Sequence, residues 1–219
     1  MKADSSCLLA VVHGAAYERY AAALFESAAD LFRPTESVEL VILPARAGWP
    51  DATLYRYHVI LEQQELLGHD YLFLVDADMR VEAPIGPEIL SPLSATRHPG
   101  YTTAQRHEFP YERRAESAAC VPANRGSAYY AGGFVGGRRD VFLELAETIA
   151  ATIDHDEEAG LVALWHDESH LNRALIDSPP FLNLTPSYCY PDDDAHYLGG
   201  WRDHYPRRLV ALDKPTAGR

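Results

Sequence analysis

Three features are scarce in this 219-residue chain: cysteine, positive charge and long apolar runs. Cysteine occurs at Cys7, Cys120 and Cys189, an odd number without a C-x-x-C pair, which favours a reducing compartment over a disulfide framework. Lys and Arg number 19 against 32 Asp and Glu, a formal net charge of −13, which argues against nucleic acid as a partner. The apolar run at residues 7–12 is too short to span a bilayer, so the sequence predicts no transmembrane segment.

The remaining composition is that of a folded globular protein. Hydrophobic residues make up 47% of the chain and charged residues 23%, which argues against disorder. A chain of this length buries about 70% of its unfolded surface without the help of disulfides or metal. No linker or internal repeat divides it, and we expect one domain over residues 1–219.

Strand and helix patterns alternate through the first third of the chain. Continuous apolar runs at residues 7–12, 38–43 and 71–75 are typical of strands covered on both faces. Apolar stripes between them predict a helix from Tyr17 and a second helix capped by Thr53. This order predicts an α/β fold with a Rossmann-like, mostly parallel sheet flanked by helices. In such sheets ligands bind beyond the carboxyl ends of the strands.

The later elements are less regular in the sequence. We expect a strand at residues 128–134 that enters a glycine-rich turn, and then a helix capped by Asp140. An acidic loop at residues 154–160 and a short strand at 161–165 follow, and Asp167 is expected to cap the last clear helix.

Two aspartates directly follow the third predicted strand. Carboxylates at Asp76 and Asp78 point to the same side of an extended segment, so both can address one divalent cation. Mn²⁺ or Mg²⁺ prefers such oxygen ligands, and a metal held there neutralises a departing pyrophosphate. The alternative is a pair of solvated acids that cap the next turn. The position after a buried strand favours the metal.

The segment His-Asp-Glu-Ser-His at residues 166–170 allows two interpretations. On a helix, His166 and His170 share a face, as zinc ligands do, but the zinc-peptidase pattern places Glu directly after the first His. Here Glu168 comes one position later and would face away. A carboxylate at a helix start beside Trp165 instead suits stabilising, or attacking, positive charge at a sugar's anomeric carbon. A plain acidic first turn, favoured by the helix dipole, is the structural alternative.

Paired glycines at residues 132–133 and 136–137 bracket Phe134-Val135. Glycine permits close backbone approach to a ligand, or a tight turn at a sheet corner. No Lys-Ser/Thr follows, and the G-x-G-x-x-G spacing is absent after the first strand. Neither a Walker loop nor a dinucleotide fingerprint is therefore predicted.

Six segments in this order resemble glycosyltransferase family 6, the family of the blood-group A and B transferases and α-1,3-galactosyltransferases. They are YLFLVDADM at 71–79, EILSPL at 88–93, HPG at 98–100, YERR at 111–114, YYAGGFVGG at 129–137 and WHDESHLN at 165–172. The resemblance implies a GT-A fold and retaining transfer of GalNAc or Gal from its UDP-sugar to a β-galactoside or fucosylated glycan acceptor, forming an α-1,3 linkage. It further implies a nucleotide-binding half at residues 1–80, and a donor-sugar and acceptor half at 81–219 with a mobile C-terminal tail.

The resemblance also implies roles for individual residues. Glu168 is the catalytic carboxylate, and Asp76 and Asp78 hold Mn²⁺, with Mg²⁺ as a possible substitute. Residues expected at the nucleotide and diphosphate are Val12, His13, Tyr17, Arg56, Ala77 and Lys214. Residues expected at the donor sugar or acceptor are His98, Ala131, Gly132, Gly133, Trp165, His166 and Asp167.

One matching position and two departures from the family pattern refine these expectations. Gly133 lacks a side chain and leaves room for an N-acetyl group, which favours UDP-GalNAc over UDP-Gal. Tyr190-Pro191 stands where the family has Trp-Asp, so Asp192 is the candidate acceptor carboxylate. Animal members carry an N-terminal anchor and stem, for which this sequence shows no pattern. We therefore expect a member that resembles the shorter bacterial or phage forms and that is cytoplasmic or peripheral at the inner membrane surface. A non-catalytic glycan- or nucleotide-sugar-binding protein on the same scaffold is the alternative; the intact acidic pair and Glu168 argue against it.

Overall fold

The computed structural model describes residues 4–192 and 202–213 and shows a mixed α/β architecture. The strands are β1 (Ser5–Val12), β2 (Ser37–Pro44), β3 (Tyr71–Val75), β4 (Met79–Val81), β5 (Leu93–Arg97), β6 (Tyr130–Arg138), β7 (Leu182–Leu184), β8 (Tyr190–Pro191) and β9 (Leu209–Ala211). The α-helices are α1 (Gly14–Leu31), α2 (Asp51–Leu54), α3 (Arg56–Glu62), α4 (Arg139–Glu158) and α5 (His166–Asp177). Short 3₁₀ turns complete the connections.

The main sheet has the strand order β2-β1-β3-β6-β5-β7. Strands β2, β1 and β3 run parallel, β6 runs antiparallel to both β3 and β5, and β7 is parallel to β5. The mostly parallel, helix-flanked α/β sheet predicted from the sequence is confirmed. Because β6 is antiparallel to β3, its first residues lie beside the carboxyl end of β3, where the amide of Asp76 donates to the carbonyl of Gly133 at 3.0 Å.

Both faces of the sheet are covered, which explains the continuous apolar runs. On β3, Leu72 and Leu74 pack in one core with α3, α4 and α5, whereas Phe73 and Val75 pack in a second core with α1. Side chains that alternate across a strand thus all find apolar surroundings. Phe73 stacks on Phe134 of β6 with ring centroids 5.9 Å apart.

The glycine-rich turn predicted after residue 134 is wrong, because these glycines lie inside β6. A Cβ at Gly136 would meet the carbonyl oxygen of Leu72 and the Cα and ring of Phe73, and one at Gly137 would meet the backbone of Pro92 and Leu93. Close strand packing, and not a turn, therefore requires the absence of a side chain here.

Three predicted helices and one predicted strand differ from the structure. Helix α4 begins at Arg139 and continues to Glu158 through most of the expected acidic loop, because Ile153 and Asp156 extend its buried side. Residues 161–165 form no strand. Helix α5 begins at His166, and Asp167 is buried instead of capping it. The expected second helix begins at residue 51 without a Thr53 cap and is divided into α2 and α3.

A second, small sheet has the order β4-β9-β8 and lies next to the two aspartates. Strand β9 pairs antiparallel with β4, which follows Asp78 directly. Beyond β9, the amide of Leu212 donates to the carbonyl oxygen of Asp78 at 2.9 Å. The small sheet therefore brings a distant part of the chain to the D-x-D segment.

Candidate active site

A cavity of about 410 Å³ opens at the carboxyl ends of β1 and β3. This volume lies within the range of about 300–1,000 Å³ usual for small-molecule sites, and its position is the one expected for a parallel sheet. Residues predicted from the sequence that line it are His13, Tyr17, Arg56, Asp76, Ala77, Asp78, Gly132, Trp165, His166, Asp167 and Glu168. The antiparallel course of β6 and the start of α5 bring the later segments to the first third of the chain.

Other predicted residues lie away from this cavity. Val12 packs in the core beneath it, and its neighbour Val11 lines the wall instead. Ala131 and Gly133 are on β6 on either side of the lining residue Gly132, and strand alternation directs them to the other face. A Cβ at Gly133 would lie 3.3 Å from Asp76 Oδ2. Lys214 lies outside the described residues.

Sequence reasoning missed the wall formed before and within α2, by Gly48, Trp49, Ala52 and Thr53. Trp49 is 75% exposed, and its ring meets that of His166 edge-on with centroids 5.7 Å apart. The available signal was position: this loop follows the second parallel strand and so emerges at the same sheet edge as the aspartates.

Arg56 connects the two acidic segments of the site. Its Nη1 lies 2.7 Å from Asp76 Oδ1, and its Nη2 lies 2.5 Å from Asp167 Oδ2 and donates to the carbonyl of Gly132 at 2.9 Å. Burial disfavours the charged guanidinium, but the two carboxylates outweigh it and raise the pKa of Arg56. A permanent positive charge therefore lies at the base of the cavity.

Asp167 is fully buried, and its Oδ1 has no hydrogen-bond partner among the residues that the structure describes. Burial raises the pKa of Asp167 to about 7, although the Arg56 charge acts in the opposite direction. A buried acceptor without a partner is costly unless a ligand supplies the donor. The arrangement suits a carboxylate that accepts a hydrogen bond from a hydroxyl group of a bound molecule.

Glu168 is held through both of its carboxylate oxygens. The Tyr129 hydroxyl donates to Oε1 at 2.8 Å, and the Gly132 amide donates to Oε2 at 2.7 Å. Burial raises the pKa of Glu168, while these two hydrogen bonds lower it. The result is a carboxylate fixed in direction at the cavity wall.

His98 packs against Tyr129, the residue whose hydroxyl binds Glu168. Its ring lies 5.7 Å from that of Tyr129, and its Nδ1 accepts the Gly100 amide at 3.1 Å. Burial lowers the pKa of His98 to about 4, so the imidazole is neutral at physiological pH. In this tautomer Nε2 carries the proton and is the donor nitrogen of the ring.

The acidic pair fits a divalent cation that shares its ligands with a bound molecule. The Asp76 side chain is 43% exposed, Asp78 is buried, and both line the cavity. Within residues 4–192 and 202–213, no group of three or more Asp, Glu, His or Cys side chains is arranged to hold a metal. Two carboxylates thus need oxygens from water or phosphate to complete a six-coordinate shell.

The zinc hypothesis is not supported by the geometry. His166 lines the cavity, whereas His170 is buried elsewhere, with Nδ1 3.0 Å from Thr152 Oγ1 and Nε2 3.7 Å from Asp156 Oδ2. Burial lowers the pKa of His170 to about 4. The two imidazoles therefore have separate surroundings.

Among the described helices, none is both long and apolar enough to cross a bilayer.

Residues 28–198 match the model of Glycosyltransferase family 6. The chain is 39% identical over 182 residues to histo-blood group ABO system transferase 1 of Rattus norvegicus, which covers 80% of this chain and 51% of the relative. It is 37% identical over 194 residues to globoside alpha-1,3-N-acetylgalactosaminyltransferase 1 of Canis lupus familiaris. That alignment covers 84% of this chain and 53% of the relative. The chain spans about half the length of these curated relatives. On the strength of this match over most of its residues, the chain belongs to glycosyltransferase family 6.

Proposed function

We propose that this protein is a retaining hexosyltransferase that moves GalNAc, or Gal, from its UDP-sugar to a β-galactoside and forms an α-1,3 linkage. The observation that supports this most is the convergence of the D-x-D pair and the Glu168 carboxylate on one cavity. The names of the relatives, which include an α-1,3-N-acetylgalactosaminyltransferase, agree with the reaction.

The nucleotide end of the donor would lie over the carboxyl end of β1, between His13, Tyr17 and the loop that carries Trp49. Asp76 and Asp78 would hold Mn²⁺, or Mg²⁺, against the diphosphate. When bound, the metal would offset the charge of the leaving UDP. Arg56 fixes Asp76 Oδ1 by its ion pair, so Oδ2 is the oxygen proposed for the metal.

The sugar end would lie between Asp167 and Glu168. The Asp167 oxygen without a partner would accept a sugar hydroxyl. Glu168, held by Tyr129 and Gly132, would face the anomeric carbon as positive charge develops there, either stabilising it or forming a bond to it. Trp165, half-exposed at the cavity mouth, offers an apolar face to the acceptor.

The choice of sugar and acceptor is part of the same proposal. The preference for UDP-GalNAc rests on the family match of Ala131 and Gly133 alone. The space at Gly133 is bounded by Met79 and Cys189, so an N-acetyl group would need the Met79 side chain to move. The acceptor carboxylate expected at Asp192 is engaged with Arg207 at 2.6 Å. Acceptor binding through Asp192 would therefore share or displace that ion pair.

The test is release of UDP from UDP-GalNAc, and separately from UDP-Gal, by the purified protein with Mn²⁺ and a panel of β-galactosides, fucosylated ones included. Excess chelator should abolish release. Glu168→Gln should lower turnover at least 100-fold, equivalent to about 2.7 kcal/mol of transition-state stabilisation, while the Kd for UDP stays within about twofold. Unchanged turnover in Glu168→Gln would exclude a central role for that carboxylate. UDP binding without release from either donor would favour the binding-protein alternative.

A further inference from the structure

A buried carboxylate outside the cavity holds the segment that leads into α5. Glu112 lies in the loop between β5 and β6 and is 3% exposed. Its Oε2 accepts the amide of Leu164 at 2.9 Å and Nη2 of Arg114 at 2.6 Å, and its Oε1 accepts Nε of Arg114 at 3.0 Å. Arg114 Nη2 also donates to the carbonyl oxygen of Val162 at 2.7 Å. The Glu112–Arg114 ion pair thus binds both the backbone amide of Leu164 and the backbone carbonyl of Val162.

The segment at residues 161–165 depends on such contacts. It forms neither helix nor strand, so side chains must satisfy much of its backbone. The residue that follows, His166, has φ of 48° and is the one non-glycine residue in the left-handed region among residues 4–192 and 202–213. An unfavourable backbone conformation of this kind persists where surrounding contacts determine it. Glu168 comes two residues later, in the first turn of α5.

We propose that Glu112, paired with Arg114, is a positioning residue that fixes the turn at residues 164–168 and thereby directs the Glu168 carboxylate into the cavity. This inference rests on the proposed glycosyl transfer. Glu112 itself does not line the cavity, so its effect passes through the amide of Leu164. Arg114 holds the pKa of Glu112 at about 2, so the contact stays ionised over the pH range of an assay.

The chain offers a matched control in a second buried carboxylate. Asp156, on α4, is 1% exposed and accepts the Ser117 hydroxyl and the Ala118 amide from the same loop. Its side chain ties the loop to α4 and lies 3.7 Å from His170 Nε2 in the second turn of α5, whereas that of Glu112 ties the loop to the segment before α5. Replacing either acid by its amide removes one buried negative charge, but only Glu112→Gln weakens the connection to Leu164.

The experiment compares full-length Glu112→Gln and Asp156→Asn with the unsubstituted protein, well below the Tm of all three. Glu112→Gln should lower kcat for UDP release at least tenfold, with the Kd and stoichiometry of UDP binding within twofold. Asp156→Asn should keep kcat within twofold. Hydrogen exchange at the Leu164 amide should accelerate at least tenfold in Glu112→Gln only. A loss of folded molecules would lower the stoichiometry and could not produce this pattern.

Equal loss of kcat in both variants, or an unchanged kcat in Glu112→Gln, would overturn the proposal. If Glu112→Gln does not fold, Arg114→Lys makes the same comparison, because it keeps the charge but removes the planar fork that reaches Glu112 and Val162. Absence of UDP release by the unsubstituted protein would instead defeat the proposed function. Exchange at Leu164 would still report whether Glu112 holds the turn.

Discussion

Asp167 shows how one residue can combine two electrostatic demands. Its Oδ2 contacts Arg56 at 2.5 Å, while its Oδ1 is buried and has no hydrogen-bond partner within the described part of the chain. The ion pair favours the ionised carboxylate, whereas burial favours the protonated acid. Burial is the larger effect, and it raises the pKa of Asp167 to about 7. The group therefore titrates in the pH range in which the protein would work.

This titration predicts a pH dependence of donor use. As the pH rises through about 7, Asp167 loses its proton and becomes an acceptor for a sugar hydroxyl, so kcat/KM for UDP-GalNAc should rise between pH 6 and 8. A pH profile of initial rates measures it. Asp167→Asn, which cannot titrate, should lower kcat/KM and remove the step near pH 7. A step of equal size in Asp167→Asn would assign the titration to another group.

At the level of elements, two glycines of strand β6 allow it to pack closely against its neighbouring strands. Gly136 lies directly against the backbone and ring of Phe73 on β3, so an added methyl group has no room. Since β6 also carries Gly132, whose amide and carbonyl contact Glu168 and Arg56, its fit against β3 determines the geometry of the site.

We predict that Gly136→Ala lowers the free energy of unfolding by about 1–3 kcal/mol or more, because the methyl group would force the two strands apart. Gly68→Ala is the matched control: a Cβ there meets nothing within 4 Å, and its effect should stay within about 0.5 kcal/mol. Urea denaturation of the three proteins measures the difference. Similar midpoints for both variants would show that β6 can relax away from β3.

The sequence predicts elements well where one local pattern determines them. The runs that became β1 and β3 are apolar on both faces, and the structure covers both faces. Prediction fails where distant residues decide. The interior position of the glycines in β6 depends on their neighbours in β3 and β5, and the burial of Asp167 depends on Arg56 from α3. Neither dependence leaves a local signal.

The same distinction applies to the site. Asp76, Asp78 and Glu168 lie in recognisable motifs, and all three line the cavity. Trp49 lies in a loop whose sequence has no periodicity, and its position over the cavity depends on how the loop folds back towards His166. Loops carry little local pattern for such contacts.

At the scale of the whole molecule, the cavity is assembled from segments that lie far apart in the chain. Residues from the ends of β1 and β3, from α3, from β6 and from the start of α5 meet around it. A ligand that contacts all of them would favour the folded state over every partly opened one.

UDP with Mn²⁺ should therefore raise the Tm of the protein. At a ligand concentration 100 times Kd the stabilisation is about 2.7 kcal/mol, which corresponds to roughly 5–10 °C for a chain of this size. Thermal unfolding with UDP alone, Mn²⁺ alone and both together measures it. The increase with both should exceed the sum of the separate increases, because the metal and the diphosphate would share ligands. Strictly additive increases would contradict binding at a shared site.

The bond from Leu212 to Asp78 has a practical consequence for handling the protein. Seven residues follow Leu212 up to and including Arg219, and a fully extended segment of that length reaches about 25 Å. An affinity tag or reporter fused after Arg219 would thus be tethered within that reach of the D-x-D segment, where a polyhistidine tail could compete for the metal. Fusions for purification or labelling are better placed at the opposite terminus.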